Sequence, residues 1–297
     1  MWIEKIKTYK ELAKFEIVLL VLICALGGYL LGQNFEKNLQ VAHLIGTLFG
    51  IFFLSTGASA LNQYQEQSLD SKMHRTAHRP LVCKTVSPHM ALGFSVFCIC
   101  LGDFILAIID LKICFLGLLA LFFYNGLYTL WFKKNFAFAA VPGAIPGALP
   151  ILMGYSASNG QVFSLGGIYL FFLLFFWQMP HFWTLAIKYK TDYERGDIHT
   201  LPVVYGNKIT QNHIVLWCLA YIGLSLGAPL FLKVGSLYLC VAFLMCFKIV
   251  YELNRFLKLS DNKQWLRFFL WVNFSLIIFI AIAVADLWSV KLFRYWI

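Results

Sequence analysis

Apolar residues in this chain do not alternate with polar ones; they gather in runs that stay apolar on every side. Nine such runs lie near residues 15–33, 41–61, 89–109, 113–132, 137–155, 163–186, 212–232, 234–252 and 267–287. Each can cross a hydrocarbon core of roughly 30 Å as a helix, since about 20 residues rising 1.5 Å apiece cover that distance. Strands of a membrane barrel would instead show about ten residues alternating apolar and polar. The pattern predicts an all-α integral membrane protein of nine transmembrane helices, forming a single domain over 1–297. The connections on one side are short. On the other side two are long and polar, 62–88 and 187–211, and each ends in a proline element, "RPL" at 79–81 and "LPV" at 201–203. The recurrence hints at a duplicated bundle.

Composition agrees with a membrane protein: 60% of the residues are hydrophobic and 13% charged, a balance outside that of soluble globular domains. The net charge of +10 is explained by topology. With the N-terminus cytoplasmic, the outer segments hold only Lys37, Lys112, Lys233, Lys291 and Arg294 of the 24 Lys and Arg, and Lys248 falls within a span. That is the asymmetry of a chain with its N-terminus inside and, after nine crossings, its C-terminus outside. It leaves no basic face of the kind a nucleic-acid-binding module shows. Most of the eight cysteines sit in apolar runs as small hydrophobes, and no CxxC pair suggests zinc or redox chemistry. The opening "MWIEKIKTYKELAKFE" has acids and no small-residue cleavage site, unlike a signal or transit peptide. A bacterial inner (plasma) membrane is the expected location.

The chemistry-bearing stretch is "LNQYQEQSLDSKMHRTAHRPL", residues 61–81. If the second span continues as a helix, Asn62, Glu66 and Asp70 follow one another at i, i+4 and i+8, each turned only about 40° from the last. Two carboxylates so placed repel unless a cation lies between them, and Mg is commonly held by one or two carboxylates together with substrate phosphate oxygens. Arg75 and Arg79, again four apart, suit the same phosphates. An ordinary solvated helix end with i, i+4 charge pairs would show the same spacing.

The order of residues separates these readings. Asn62, Glu66 and Asp70 followed by "MHRTAHRPL" resemble the NxxxDxxxD and RTxxRPL elements of the UbiA-type intramembrane prenyltransferases, with Glu66 where most members carry Asp. Within that family the chain is most similar to the heme O synthase branch, the protoheme IX farnesyltransferases. "GAIPGALP" at 143–150 and "PHF" at 180–182 resemble elements of the same branch. The likeness covers almost the whole chain and implies nine helices with both polar motifs on the cytoplasmic side.

That resemblance implies an enzyme transferring the farnesyl group of farnesyl diphosphate to a vinyl group of protoheme IX, with addition of water, to give heme O and diphosphate. Asn62, Glu66, Asp70 and Asp192 would hold Mg; Arg75, Arg79 and Lys188 would neutralise the diphosphate; His181 is a candidate heme contact. Lys188 stands where quinone-type relatives have an acid, so only Asp192 matches a second DxxxD motif. Asp197 lies one position off that pattern, and His199 and Asp103 have no assigned role. The implied partners are farnesyl diphosphate, protoheme IX, the lipid bilayer, and a heme A synthase or terminal oxidase downstream. The other readings are a prenyltransferase for a quinone precursor and a secondary transporter, whose site would lie nearer the bilayer midplane.

From the residues alone, Pro142, Pro146 and Pro150 with Gly143 and Gly147 predict a fifth span that is kinked, tightly packed or opened toward a cavity.

Overall fold

The computed structural model describes residues 2–33, 39–259 and 261–294. Lys37, one of the outer cations in the topology reading, lies outside the described residues, as do the side chains of Lys5, Lys291 and Arg294. Every regular element among the described residues is helical, and nine helices among them are long and apolar enough to cross a membrane.

A short helix, α1 (Trp2–Leu12), precedes the first crossing, α2 (Phe15–Gly32). Next come α3 (Val41–Asp70), α4 (Pro88–Ile109) and α5 (Leu111–Asn135). They are followed by α6 (Ala140–Asn159) and α7 (Leu165–Lys188), then a six-residue helix, α8 (Lys190–Arg195). The last three are α9 (Leu201–Leu226), α10 (Ser236–Leu259) and α11 (Asn262–Arg294).

The starts follow local chemistry. Ser87 accepts a hydrogen bond from Met90 N ahead of Pro88, Asp110 caps α5 through Lys112 N at 2.8 Å, and Ser164 caps α7 through Gly167 N; such side-chain oxygens satisfy N–H groups with no helical partner. At α10 the cap comes from another helix: Asp286 of α11 accepts from Gly235 N and Tyr238 N.

α3 continues past Leu61 to Asp70 as the spacing predicts, because no Gly or Pro interrupts it. The expected kink, packing or opening of the fifth span resolves chiefly into packing. A Cβ at Gly154 of α6 would strike the carbonyl oxygen of Ala25, and one at Gly28 of α2 would strike that of Ile151. Backbone meets backbone along α2 and α6, as small residues allow between membrane helices.

One expectation needs correction. Helix begins at Leu201 rather than near 212: Pro202 starts a first short piece, and after a break at Gly206 (φ 81°, ψ 169°) a second piece runs to Leu226. Much of the second polar segment, 187–211, is therefore helical. Tyr189 (φ −106°, ψ 27°) separates α7 from α8, so Lys188 and Asp192 lie on different helices.

Candidate active site

The segments after α3, α5 and α7 and the turn between α1 and α2 converge at one end of the bundle. Asn62, Glu66 and Asp70 are 2%, 2% and 1% exposed there. Carboxylates so deeply buried require compensating charge. Lys133 Nζ stands 2.6 Å from Glu66 Oε1, and Arg79 Nη1 stands 2.6 Å from Asp70 Oδ2. Lys14 Nζ donates to Asn62 Oδ1 at 2.5 Å and to the Tyr124 hydroxyl at 3.4 Å.

Each cation is placed by its own local structure. Gln63 donates to the Glu11 and Leu12 carbonyls that end α1. The chain then reverses through Lys14 in a left-handed conformation (φ 51°, ψ 52°), which carries the side chain inward. Burial lowers the Lys14 ammonium to about 7; nearby Arg79 and Lys133 act in the same direction, while Glu66 and Asp70 oppose it. Arg79 follows a segment folded back on α3, where Thr76 Oγ1 donates to the Asp70 carbonyl and Gln67 Nε2 to that of Leu81.

Lys133 depends on an uncommon feature. The inner half of α5, Phe122–Phe132, is a π-helix, whose i→i+5 bonding takes more residues into each turn than α-helix does. Through it α5 runs in step with α3. Asn125 donates to the Ala58 carbonyl, Asn62 donates to Thr129 Oγ1 at 3.0 Å, and Lys133 meets Glu66. Tyr124 and Tyr128 lie on the same stretch with their rings stacked 6.3 Å apart.

Of the residues expected from sequence, Asn62, Glu66, Asp70 and Arg79 are therefore brought together. Asp192, also buried, joins them through the backbone: its carboxylate accepts from His74 N at 3.2 Å and Arg75 N at 3.1 Å, clamping the segment after α3. The Arg75 guanidinium lies over the Tyr189 ring at 5.1 Å. Lys188 is directed elsewhere, donating to Asn262 Oδ1 of α11 at 2.6 Å. His181 also faces α11, through Asn273. His199 Nδ1 bonds the Lys134 carbonyl at 2.8 Å and so closes the end of α5. Asp197 occupies a left-handed turn position (φ 54°). Asp103 Oδ1 is buried on α4 without a partner, and nothing in the structure explains it.

Sequence reasoning missed Lys14, Lys133 and Thr129. Lys14 and Lys133 look like ordinary cytoplasmic anchors at the ends of apolar runs, and only their depth distinguishes them.

The oxygens present suit a hard divalent cation shared with a substrate. Among the described residues no three His, Cys, Asp or Glu side chains converge into a self-sufficient metal cage. Mg does not need one, because it binds through one or two carboxylates plus phosphate oxygens. Asp70 Oδ1 is buried with no hydrogen-bond partner, an acceptor available to such an ion.

A narrow cavity of about 40 Å³ borders the cluster, lined by Tyr128, Lys133, Phe182 and Tyr193 among others. A far larger one, about 900 Å³, lies at the opposite end of the bundle between Leu111, Phe115 and Phe163. Its walls are almost wholly apolar, so size does not mark the chemistry here.

Residues 21–281 match the UbiA prenyltransferase family. Among relatives, the chain is 42% identical over 284 residues to a protoheme IX farnesyltransferase of Bdellovibrio bacteriovorus, an overlap of 96% of this chain and 97% of that one. Its fold is similar to a solved digeranylgeranylglyceryl phosphate synthase (TM-score 0.77, 19% identity, covering 95% of this chain and 98% of that one). It is also similar to a UbiA homolog from Archaeoglobus fulgidus bound to GPP and Mg2+ (TM-score 0.66, 18% identity, covering 94% of this chain and 99% of that one).

Proposed function

Because this chain belongs to the UbiA prenyltransferase family, we propose that it transfers the farnesyl group of farnesyl diphosphate to a vinyl group of protoheme IX, giving heme O and diphosphate. The C1–O bond of the donor breaks and C1 bonds to the terminal vinyl carbon. Water supplies a hydroxyl to the inner vinyl carbon, and its proton leaves with the diphosphate. The activity of the 42% identical relative supports this acceptor. One observation carries the reading within the molecule: Lys14, Lys133 and Arg79 converge on the buried face of Asn62, Glu66 and Asp70 at the end of an apolar bundle.

An allylic diphosphate reacts by loosening its C–O bond, so catalysis must stabilise the charge gathering on the leaving group. Lys133 and Arg79 are placed to exchange their carboxylates for diphosphate oxygens, and Lys14 lies beside them. Arg75, held over Tyr189, extends the positive rim. Glu66, Asp70 and Asn62 would hold Mg, with Asp192, which holds the amides of His74 and Arg75, completing the set. Bound there, Mg would supply further charge neutralisation on the diphosphate. The stacked Tyr124 and Tyr128 rings offer π-faces to positive charge developing at C1. The farnesyl chain and the porphyrin lie among the apolar helices below, their charged ends at the cytoplasmic surface of a bacterial inner membrane. The N-terminus is cytoplasmic and the C-terminus outside, and heme O passes to a heme A synthase or terminal oxidase.

The test is mass spectrometry of hemes extracted from membranes containing this protein, incubated with protoheme IX, farnesyl diphosphate and Mg, with and without a chelator. A heme heavier by a hydroxyfarnesyl unit, lost on chelation, is expected. Intact protein with no heme product would redirect attention to quinone precursors as acceptors.

A further inference from the structure

His181 and Lys188 lie on one side of α7, two helical turns apart, and both meet α11. Asn273 Nδ2 donates to the Phe269 carbonyl at 2.6 Å, which leaves Oδ1 to face His181 Nδ1 at 2.8 Å. An amide oxygen only accepts, so the ring carries its hydrogen on Nδ1 and keeps the Nε2 lone pair. The imidazole sits between the rings of Trp177 and Phe269, each centred 5.1 Å away and tilted by about 30°. Trp265 stacks on Phe269 at 5.2 Å, and Lys188 Nζ lies over Trp265 at 5.2 Å while bonding Asn262. Asn262, Trp265, Phe269 and Asn273 form one continuous stripe of α11 at helical spacing, and His181, Phe269 and Asn273 are all partly exposed. The stripe adjoins the polar cluster, because the Phe182 ring contacts His181 at 5.8 Å and also lines the cavity beside Lys133.

We propose that this α7–α11 seam is the porphyrin subsite: Nε2 of His181 takes the iron, Lys188 takes a propionate carboxylate, and Asn273 is a positioning residue that fixes the imidazole tautomer. The assignment rests on protoheme being the acceptor. A farnesyl chain has neither a metal nor a carboxylate, and a flat iron porphyrin has both. Seven residues of helix separate the imidazole from the ammonium by about 10 Å, with flat aromatic surface between them. Metal-ligating histidines characteristically donate their second N–H to an oxygen that holds the ring in place, the part Asn273 Oδ1 takes here. Lys188 thereby moves from the diphosphate, where the family resemblance puts it, to the acceptor.

The experiment uses the full chain in lipid nanodiscs, titrated with ferric protoheme IX and with its dimethyl ester while the Soret band is followed. His181→Ala should abolish the ligation shift while its circular dichroism and detergent melting stay as in wild type, which a misfolded protein would not show. Asn273→Val should weaken protoheme binding by about tenfold. Lys188→Met should cost about tenfold for protoheme, the size of a lost hydrogen bond to a charged group, and nothing for the dimethyl ester. KM for farnesyl diphosphate should stay unchanged in all three. If the variants bind both hemes as wild type does while heme O is still formed, the seam is not the subsite although the enzyme reading stands. If the wild type neither binds protoheme nor forms product, both fall together.

Discussion

Replacing Lys133 by Met tests whether the ion pair with Glu66 serves the reaction or only the fold. The side chains of Lys133 and Glu66 are 16% and 3% exposed and their charged atoms are 2.6 Å apart. Removing one member of such a pair strands the other, at a cost of about 3–5 kcal/mol. At roughly 2 °C per kcal/mol for a chain of this size, the detergent melting temperature should fall by about 6–10 °C. Adding Glu66→Gln removes the stranded charge, and most of that loss should return. Turnover should not return with it, because the double variant lacks both the Lys133 charge and a carboxylate of the proposed Mg set. A cation stabilising the departing diphosphate accounts for about 10²–10³-fold in rate, and neither the thioether nor the amide introduced by these substitutions carries a positive charge in its place. Paired melting curves and heme O yields, measured on wild type, both singles and the double variant, separate the two quantities. A double variant that recovers activity together with stability would refute the proposed diphosphate contact and leave the pair a structural one.

Three further outcomes follow from the same geometry. Asp70→Asn should lower heme O formation by at least about 100-fold while the protein stays folded by circular dichroism; unchanged yield would remove Asp70 from the metal set. Asp192→Ala should free the amides of His74 and Arg75, raising their hydrogen exchange by about tenfold, as loss of a charged acceptor predicts, whereas exchange along α4 should not change. Gly154→Leu should abolish recovery of folded protein, since a side chain there meets the Ala25 carbonyl; a variant purified in wild-type yield would show that α2 and α6 can separate.

The crossings were legible because apolar runs of membrane length have one economical solution, and the face of Asn62, Glu66 and Asp70 because helical spacing is rigid. Other elements resisted for identifiable reasons. The polar stretch from Val203 to Asn212 gave no hydrophobic signal for the two helical pieces that meet at Gly206. The interruption at Tyr189 involves neither Gly nor Pro, so nothing marked it. Lys14 and Lys133 carried the same local signature as lysines that merely fix topology, and their burial against Asn62 and Glu66 is a tertiary fact. The triad of Lys248, Glu252 and Arg267, with Glu252 fully buried between the other two, likewise joins residues whose pairing across α10 and α11 no spacing rule announces.

The π-helical stretch of α5 has a consequence for how the protein can change by descent. Winding the same eleven residues, 122–132, as ordinary α-helix would turn everything beyond them relative to what precedes, because each turn would take up fewer residues. Lys133 would then leave Glu66 although no functional residue had been altered. The winding of this stretch thus matters to the site as much as residue identity does elsewhere: a chain whose residues 122–132 wound as α-helix could insert, fold and persist in the membrane, yet be inert.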